Sequence, residues 1–599
     1  MRDSRALVRL RLKPHSGLLM NANAHSTCPT IGIDLGTTNS LVAIFENGRP
    51  RTLANEFGEE LTPSVVAVAE DGQLLVGRAA KDRLIVAPAS GQACFKRDMG
   101  TSAVYRFGGK SWSPIVCSAI VLGEMKRIAE LHLCATAERA VITVPAYFHD
   151  QQRQATLEAA KIAGLSVERI INEPTAAALA YGYGNPESEM RVLVFDLGGG
   201  TFDVTLLEIF EGVVEVKASA GESRLGGEDY TDALRLWLEE KHQWQPHSAA
   251  RGVWRQRVEV AKRQLSANET ASLYLNDGLV QVTREDFREA TAATHARLRP
   301  VVIRCLRDAG VQALALDDIL LVGGASRMVL VRDFIQDELK RISSLKIDPD
   351  RVVALGAAVQ AGLCSNDNAV NDIVLTDVCP HTLGIETSKS LAFGQHEPGY
   401  FAPIIDRNTT VPVSRSKLFH TLHPQQDKLE VIVYQGEARL TCDNQKIGQI
   451  SVPKGLRHLP GQSHPGEVDI RFSYDMNGIL EVEVTAVATG QKKSHVIEQR
   501  PGCLSQREIA EAIARLQPLK LHPRDLLPHR ARLERAGRVY AELVGPAREH
   551  LNAVTDQFEA ALESQDSLAI KQAAAVLDSF LRGFFEHEGE AQPDTPAGP

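Results

Sequence analysis

The chain has 599 residues, of which 44% are hydrophobic and 24% charged; 66 Lys and Arg stand against 75 Asp and Glu, for a net charge of −9. At about 150 residues per domain this length predicts roughly four folding units, and the composition excludes collagen, coiled coil and wholesale disorder. The acidic balance speaks against nucleic-acid binding, no apolar run reaches the ~20 residues of a membrane span, and nine scattered cysteines without a CxxC pair read as reduced thiols.

Residues 1–29 carry Arg2, Arg5, Arg9, Arg11 and Lys13 against one acid, Asp3, much as a transit peptide would. A second methionine, Met20, leads directly into a strand-like segment at Ile31. This stretch is expected to be a leader, disordered or upstream of the true start. Over 30–371, strands such as Arg191–Phe195 and Ile319–Val322 alternate with helices such as that around Asp150–Ala163, which predicts α/β structure. A polar break at 365–368 precedes the apolar run Ile373–Val378, so 372–378 reads as a linker. Over 379–501, short alternating strands (Lys428–Tyr434, Glu467–Phe472) predict an antiparallel β module. Ser505 and Glu508 then form a capping box ahead of Ile509, Ile513 and Leu516, which places helices over 502–587; residues 588–599 read as a disordered tail.

Two glycine turns carry the chemistry. Ile31-Gly32-Ile33-Asp34-Leu35-Gly36-Thr37-Thr38-Asn39 and Val194-Phe195-Asp196-Leu197-Gly198-Gly199-Gly200-Thr201-Phe202-Asp203 each read as strand, Asp, Leu, Gly, hydroxyl residue and second strand. Glycines let backbone N–H groups approach phosphate oxygens, and an Asp at the strand end can hold Mg²⁺ through water. One such turn alone is better taken as a plain hairpin; two suggest paired lobes facing one nucleotide. A third element, Ile319–Val322 followed by Gly323-Gly324-Ala325-Ser326-Arg327, permits close approach of a flat ring on which Arg327 can stack; by itself it is better read as a tight strand-to-helix turn. Gly109-Lys110-Ser111 imitates the end of a P-loop, but Val104 stands where that motif needs Gly.

Together with Val141–Phe148, Ile171–Ala178, Leu225–Asp229 and Ala354–Gln360, these motifs resemble the 70-kDa heat-shock protein (DnaK) chaperone family, over about residues 30–540. Thr376–Pro380, Arg407–Arg415 and Leu519–Asp525 look most like its bacterial HscC-type branch. The resemblance implies an actin-like two-lobed ATPase domain, a β-sandwich peptide-binding domain and a short C-terminal helical lid, working with ATP or ADP, Mg²⁺ and conceivably K⁺. It implies catalytic roles for Asp34, Lys96, Glu173, Asp196, Thr201 and Asp203, with Asp34 and Asp196 holding Mg²⁺ through water. Phosphate contacts would come from Gly36, Thr37, Thr38, Asn39, Gly198, Gly199 and Gly200. The adenosine would lie among Gly227, Glu228, Glu259, Lys262, Arg263 and Ser266, and against Gly323, Gly324, Ser326, Arg327 and Asp350. For Lys96 alone, a solvated surface lysine would be the better reading; the motif context reverses it.

By the same resemblance, Ile385, Thr387, Phe419, Leu422, Leu429 and Val431 line a channel for unfolded or apolar peptide segments, although the bare sequence reads them as strand core. Pro145, Arg153, Arg169, Asn172 and Asp377 would couple the domains and receive a J-domain co-chaperone. Departures from the family pattern are Thr376 in the linker, His149, Ser388 at the arch, the insertion 388–401 and a short hairpin after Ser266. They put the peptide preference in doubt and argue against dependence on an exchange factor. The expected protein is a cytoplasmic monomer, an ATP-dependent chaperone. Two alternatives stay open: a specialised binder of few clients with the same cycle, and a small-molecule kinase of the actin-like superfamily, which leaves 372–587 unexplained.

Overall fold

The computed structural model describes residues 29–589 except 184–188, 211–212, 248–249, 276–277, 342–346, 366, 368, 371–373, 391–395, 423–428, 453–465, 488–489, 497–526 and 565–566. The leader up to 28, the capping box at Ser505 and residues 590–599 of the tail therefore lie outside the described residues, while residues 588 and 589, read as tail, end the helix Ser567–Gly589.

Two mixed sheets organise the first half. In one, the order is Ser166–Asn172, Arg139–Val144, Thr30–Asp34, Asn39–Glu46, Arg49–Thr52, with the central Thr30–Asp34 parallel to Arg139–Val144 and antiparallel to Asn39–Glu46. Strand Thr30–Asp34 is apolar and buried almost throughout, as a central strand covered on both faces requires. In the other, Asp318–Val322, Met190–Leu197, Phe202–Phe210 and Val213–Glu222 lie side by side. Both glycine turns are hairpin turns at the ends of central strands, as the sequence predicts. Two helices, Glu173–Tyr183 and Val352–Cys364, cross between the sheets. Their closeness depends on glycine: a Cβ on Gly356 would lie 1.7 Å from Ala176 O, and one on Gly32 would lie 2.4 Å from Ala358 N. Gly108 and Gly109, both with positive φ, turn the small hairpin Tyr105–Phe107/Lys110–Trp112, so the P-loop look-alike is a β-turn.

The second half contains two four-stranded antiparallel sheets. One orders His396–Ile405, Leu383–Ser390, Leu429–Gln435 and Gln445–Val452; the other orders Val413–His420, Glu467–Tyr474, Leu480–Ala486 and Lys492–Val496. Period-2 burial along Glu467–Tyr474 and Leu480–Ala486 sends Val468, Ile470, Phe472, Val482 and Val484 into a shared core with Val431, Val433 and Ile450. Helices Leu527–Glu542, Pro546–Ser564 and Ser567–Gly589 enclose a separate core of Val539, Leu551, Phe558, Leu577 and Leu581.

The segment read as a linker is itself a strand. Val374–Val378 pairs in parallel with Val213–Glu222 and antiparallel with Thr410–Val411, so one sheet runs from the first half into the second. Helix Leu527–Glu542 lies on helix Arg78–Val86, through Arg530–Asp71 (2.7 Å), Arg538–Asp82 (3.0 Å) and buried Ala531.

Candidate functional site

A cleft of about 380 Å³ opens between the two sheets. The first turn brings Asp34, Gly36, Thr37, Thr38 and Asn39 to its wall, and the second brings Asp196, Gly198, Gly199 and Thr201. The turns touch: a Cβ on Gly199 would sit 1.8 Å from Thr38 Oγ1, so only glycine lets the second turn approach the first.

Charge at this end is out of balance. Lys96, 2% exposed, donates from Nζ to Glu173 Oε1 at 2.6 Å. Asp34 Oδ1 accepts from Thr143 Oγ1 at 2.9 Å, and Asp203 Oδ1 accepts from the Tyr147 N–H at 3.1 Å. Burial first, then repulsion from Glu173, lifts Asp34 to about 7 and Asp203 to about 8; burial and its acidic neighbours raise Asp196 well above the carboxylate range. Asp196 Oδ2 and Thr38 Oγ1 are buried without a protein partner. Hard carboxylate oxygens with an unspent acceptor fit a hydrated divalent cation such as Mg²⁺. Among the described residues no three His, Cys, Asp or Glu side chains converge into a group that could ligate an ion directly.

At the opposite end, helix Arg251–Ala267 presents Glu259, Lys262, Arg263 and Ser266, and the turn after Asp318–Val322 presents Gly323, Gly324 and Arg327. Gly227, Glu228 and Asp350 also line it. Burial opposes ionisation of Glu259, but Lys262 (2.7 Å) and Arg263 (2.8 Å) bring it down to about 2. Arg327 is held at the rim by Asp348 (2.5 Å) and Asp350 (2.9 Å).

Three of the sequence-read positions do not face the cleft. Gly200 is turned onto Thr37 and Arg97, Ser326 Oγ donates to Gly323 O within its own turn, and Asp203 lies beneath the surface, 1% exposed. Two features escaped sequence reasoning. Arg97 pairs with Asp229 and donates to Gly199 O (3.4 Å) in the second turn, although it adjoins Lys96 in the same triplet. Leu61, Met328, Pro349 and Val353 give the ring end an apolar wall, for which no local pattern exists.

The coupling residues meet at the linker strand. Asp377 Oδ2 accepts from Asn172 Nδ2 (2.9 Å) and Thr175 Oγ1 (3.2 Å); Arg153 donates to Asn172 Oδ1 (2.6 Å) and to Ala146 O and Phe148 O (both 3.2 Å). Pro145 caps the same turn, its carbonyl accepting from Phe148 N. Arg169 instead donates to Gln360 Oε1 (3.0 Å). The peptide residues are less convergent. Ile385 and Val431 are buried in the sandwich core, and Phe419 and Leu429 pack on it. Thr387 donates to Tyr400 O, and Leu422 is 42% exposed.

Two lobes bring paired Asp-Leu-Gly turns to one cleft, and a strand joins them to a β-sandwich and a helical segment. The family described as "Hsp70 protein" matches residues 30–107 and 102–582. "Chaperone protein DnaK" of Mycoplasma mobile is 40% identical over 499 residues, covering 81% of this chain and 80% of that protein. The chain belongs to the Hsp70 family, a family of chaperones that bind ATP or ADP with Mg²⁺ and engage unfolded peptides and co-chaperones. No helix among the described residues is long and apolar enough to cross a membrane.

Proposed function

We propose that this protein is an ATP-dependent chaperone that binds and releases exposed apolar peptide segments, its hydrolysis coupled to docking of the linker and movement of the lid. The reading rests above all on one observation: the nucleotide turns, Lys96 and the adenosine-side helix share one cleft, while Asp377 ties the strand leading to the sandwich into the same lobe pair.

Bound ATP with Mg²⁺ supplies the scissile phosphate and the charge that the buried carboxylates await. Positioning and charge neutralisation dominate such chemistry. Lys96, held by Glu173 on the wall of the cleft, would orient the attacking water. Thr37, Thr38 and Thr201 would donate to phosphate oxygens beside the backbone of Gly36, Gly198 and Gly199, and Asp34 and Asp196 would hold the ion through water. Glu259, Lys262 and Arg263 form a closed ion cluster, which leaves ring recognition to Ser266, Gly323, Gly324 and Arg327.

Peptide capture has a physical basis in Val413–His420. This strand has one ladder partner among the described residues, Glu467–Tyr474, and its free edge can take an extended peptide. Leu418 and Leu422, 60% and 42% exposed, offer apolar surface beside it. The docked strand Val374–Val378, with the lid helix on Arg78–Val86, corresponds to the open half of the cycle; closure would carry the lid over the sandwich. A J-domain protein is the proposed stimulator, with exchange-factor dependence weak, and the setting cytoplasmic. The lengthened hairpin Leu383–Ser390/His396–Ile405 favours, as a second reading, a narrow set of clients.

Single-turnover hydrolysis of Mg-ATP tests the site: Lys96→Ala and Thr201→Ala should keep nucleotide binding and lose about 100-fold in rate, as removal of one transition-state contact does. Unchanged rates in both refute the assignment. Stimulation of the wild-type rate by apolar peptides with a J-domain protein separates the chaperone from a kinase, which would answer to a small molecule instead.

A further inference from the structure

The second lobe carries an inserted unit whose two chain crossings are tied together by one buried polar pair. Helices Gly227–Lys241, Arg251–Ala267 and Arg284–Ala296, with the paired strands Thr270–Leu275 and Gly278–Thr283, stand in sequence between strand Val213–Glu222 and helix Leu298–Ala309. The chain enters this unit at Gly226–Gly227 and leaves it at Arg297. Helix Arg251–Ala267 brings Glu259, Lys262, Arg263 and Ser266 to the ring end of the cleft. At the entry, the N–H groups of Gly227 and Glu228 donate to Gly198 O and Gly199 O, both at 2.9 Å. A swing of the unit about its crossings would therefore pull on the phosphate turn and open the ring end together.

Tyr230 and His295 stand just inside the crossings, three residues after Gly227 and two before Arg297. Tyr230 is 0% exposed, and its hydroxyl lies 3.0 Å from His295 Nδ1. The Tyr230 ring packs on Phe287 (centroids 6.2 Å apart), and the His295 ring meets Phe334 edge-to-face at 5.5 Å. Phe334 belongs to helix Val329–Leu339, outside the unit, and packs in turn on Phe195, the residue before Asp196. A buried hydroxyl needs an acceptor. Tyr230 therefore donates to Nδ1, and the neutral ring keeps its proton on Nε2. A second proton would occupy Nδ1, leave the hydroxyl without its acceptor and place a charge beside Phe334. Burial accordingly holds His295 below the usual histidine range; Arg288 of its own helix lowers it further, and Asp333 of Val329–Leu339, 3.7 Å from Arg288, offsets part of this. From Gly227–Lys241 the ring faces Tyr230, whose phenol is held above its usual range by burial and Asp229, with Arg297 opposing.

We infer that Tyr230 and His295 are positioning residues that form a proton-sensitive pin: bonded, they fix the unit against the phosphate turn and retain the nucleotide, and with His295 protonated the pin opens and the nucleotide leaves faster. The pin rests on the nucleotide reading of the cleft and gives the release step a pH dependence; neither the linker nor the sandwich takes part in it. Since the pinned ring refuses a proton that a free ring binds, the pin is intact above the ordinary histidine value of 6.5 and weakens as pH falls below it.

The test is stopped-flow release of a fluorescent ADP analogue with Mg²⁺ from the full chain, compared at about pH 7.5 and about pH 5.5. Tyr230→Phe removes the hydroxyl and keeps the ring; near neutrality it should speed release about fivefold, the loss of one ordinary hydrogen bond. The gap between wild type and Tyr230→Phe should close in acid, a comparison that cancels titration elsewhere in the site. His295→Gln, whose amide oxygen can accept from Tyr230 but does not titrate, should match the wild type near neutrality and release more slowly than it in acid. His295→Leu in the Tyr230→Phe background should add nothing near neutrality. Tyr230→Phe release at the wild-type rate, whatever its denaturation midpoint, overturns the pin. So does a gap that stays open in acid, a His295→Gln rate that follows the wild type at both pH values, or additivity in the double variant. A wild-type chain that does not bind the Mg-ADP analogue overturns the nucleotide reading itself, and the pin falls with it.

Discussion

Asp308, at the end of helix Leu298–Ala309, carries much of the polar contact between the second lobe and the sandwich, and Asp308→Ala should undock the halves. Its carboxylate accepts from Arg407 Nε (2.8 Å), Arg407 Nη2 (3.1 Å) and Asn408 Nδ2 (3.3 Å), while Asn408 Oδ1 accepts from Ser219 N (3.0 Å). Hydrogen bonds to charged groups contribute about 1.5–3 kcal/mol each when well buried. Arg407 is 29% exposed at the side chain and keeps its bond to Glu437 (2.6 Å), so solvent and the second partner reduce that sum. A loss of about 2 kcal/mol remains, roughly 30-fold in the docking equilibrium. The amides of Val374–Val378, paired to Val213–Glu222 only while docked, report that equilibrium. Their hydrogen-exchange protection should fall about 30-fold with a non-hydrolysable ATP analogue bound, against little change in Thr30–Asp34. Because both residues belong to one pair, Arg407→Ala in the Asp308→Ala background should add less than its effect alone. Protection within threefold of wild type, or full additivity, would refute the reasoning.

Docking should also respond to acid. Burial depresses the His381 pKa from 6.5 to about 4, with Arg153 and Arg304 facing the ring unfavourably and Glu437 and the Tyr147 carbonyl favourably; the undocked ring binds a proton that the docked ring refuses. Docking is thus intact above pH 6.5 and weakens as pH falls from there toward about 4, which linker protection across that range measures. At the lid, Arg538→Glu sets a like charge against Asp82, whose side chain is 1% exposed, and should detach Leu527–Glu542 from Arg78–Val86; a distance label between these helices that does not lengthen contradicts the contact. Phe472→Ala, at a position 0% exposed in the sandwich core, should cost about 3–5 kcal/mol and show as a lowered denaturation midpoint for the β-sheet transition alone. Arg97→Ala removes the clasp to Asp229 and should speed nucleotide release several-fold in stopped flow, with the helices unchanged by circular dichroism.

What could be read from the chain was local. A glycine turn announces its own backbone, so Gly36, Gly198 and Gly199 were legible, and the hydroxyl residues beside them followed. Period-2 alternation foretold Glu467–Tyr474, but the same alternation cannot tell a channel wall from a core, which is why Ile385 and Val431 carry both readings. The linker was visible as a short apolar run, yet nothing in Ile373–Val378 says that it completes a sheet with Val213–Glu222.

The polar contacts that escaped share one physical cause. Arg97 with Asp229, Arg407 with Asp308 and Arg538 with Asp82 are polar contacts between residues far apart in the chain, each a single side-chain match without periodicity. At the lid, Arg530, Arg535 and Arg538 meet Asp71, Glu59 and Asp82. An apolar interface could hold the same halves together, but it would lose far less on rearrangement and exposure to salt or a competing partner would hardly move it. Hydrogen bonds to charged groups contribute about 1.5–3 kcal/mol each, and less where solvent reaches them, which is within reach of the couplings of about 1–3 kcal/mol that ligands exert. In the proposed cycle the illegible contacts are therefore the ones that must break, and the legible glycine turns the ones that must hold still.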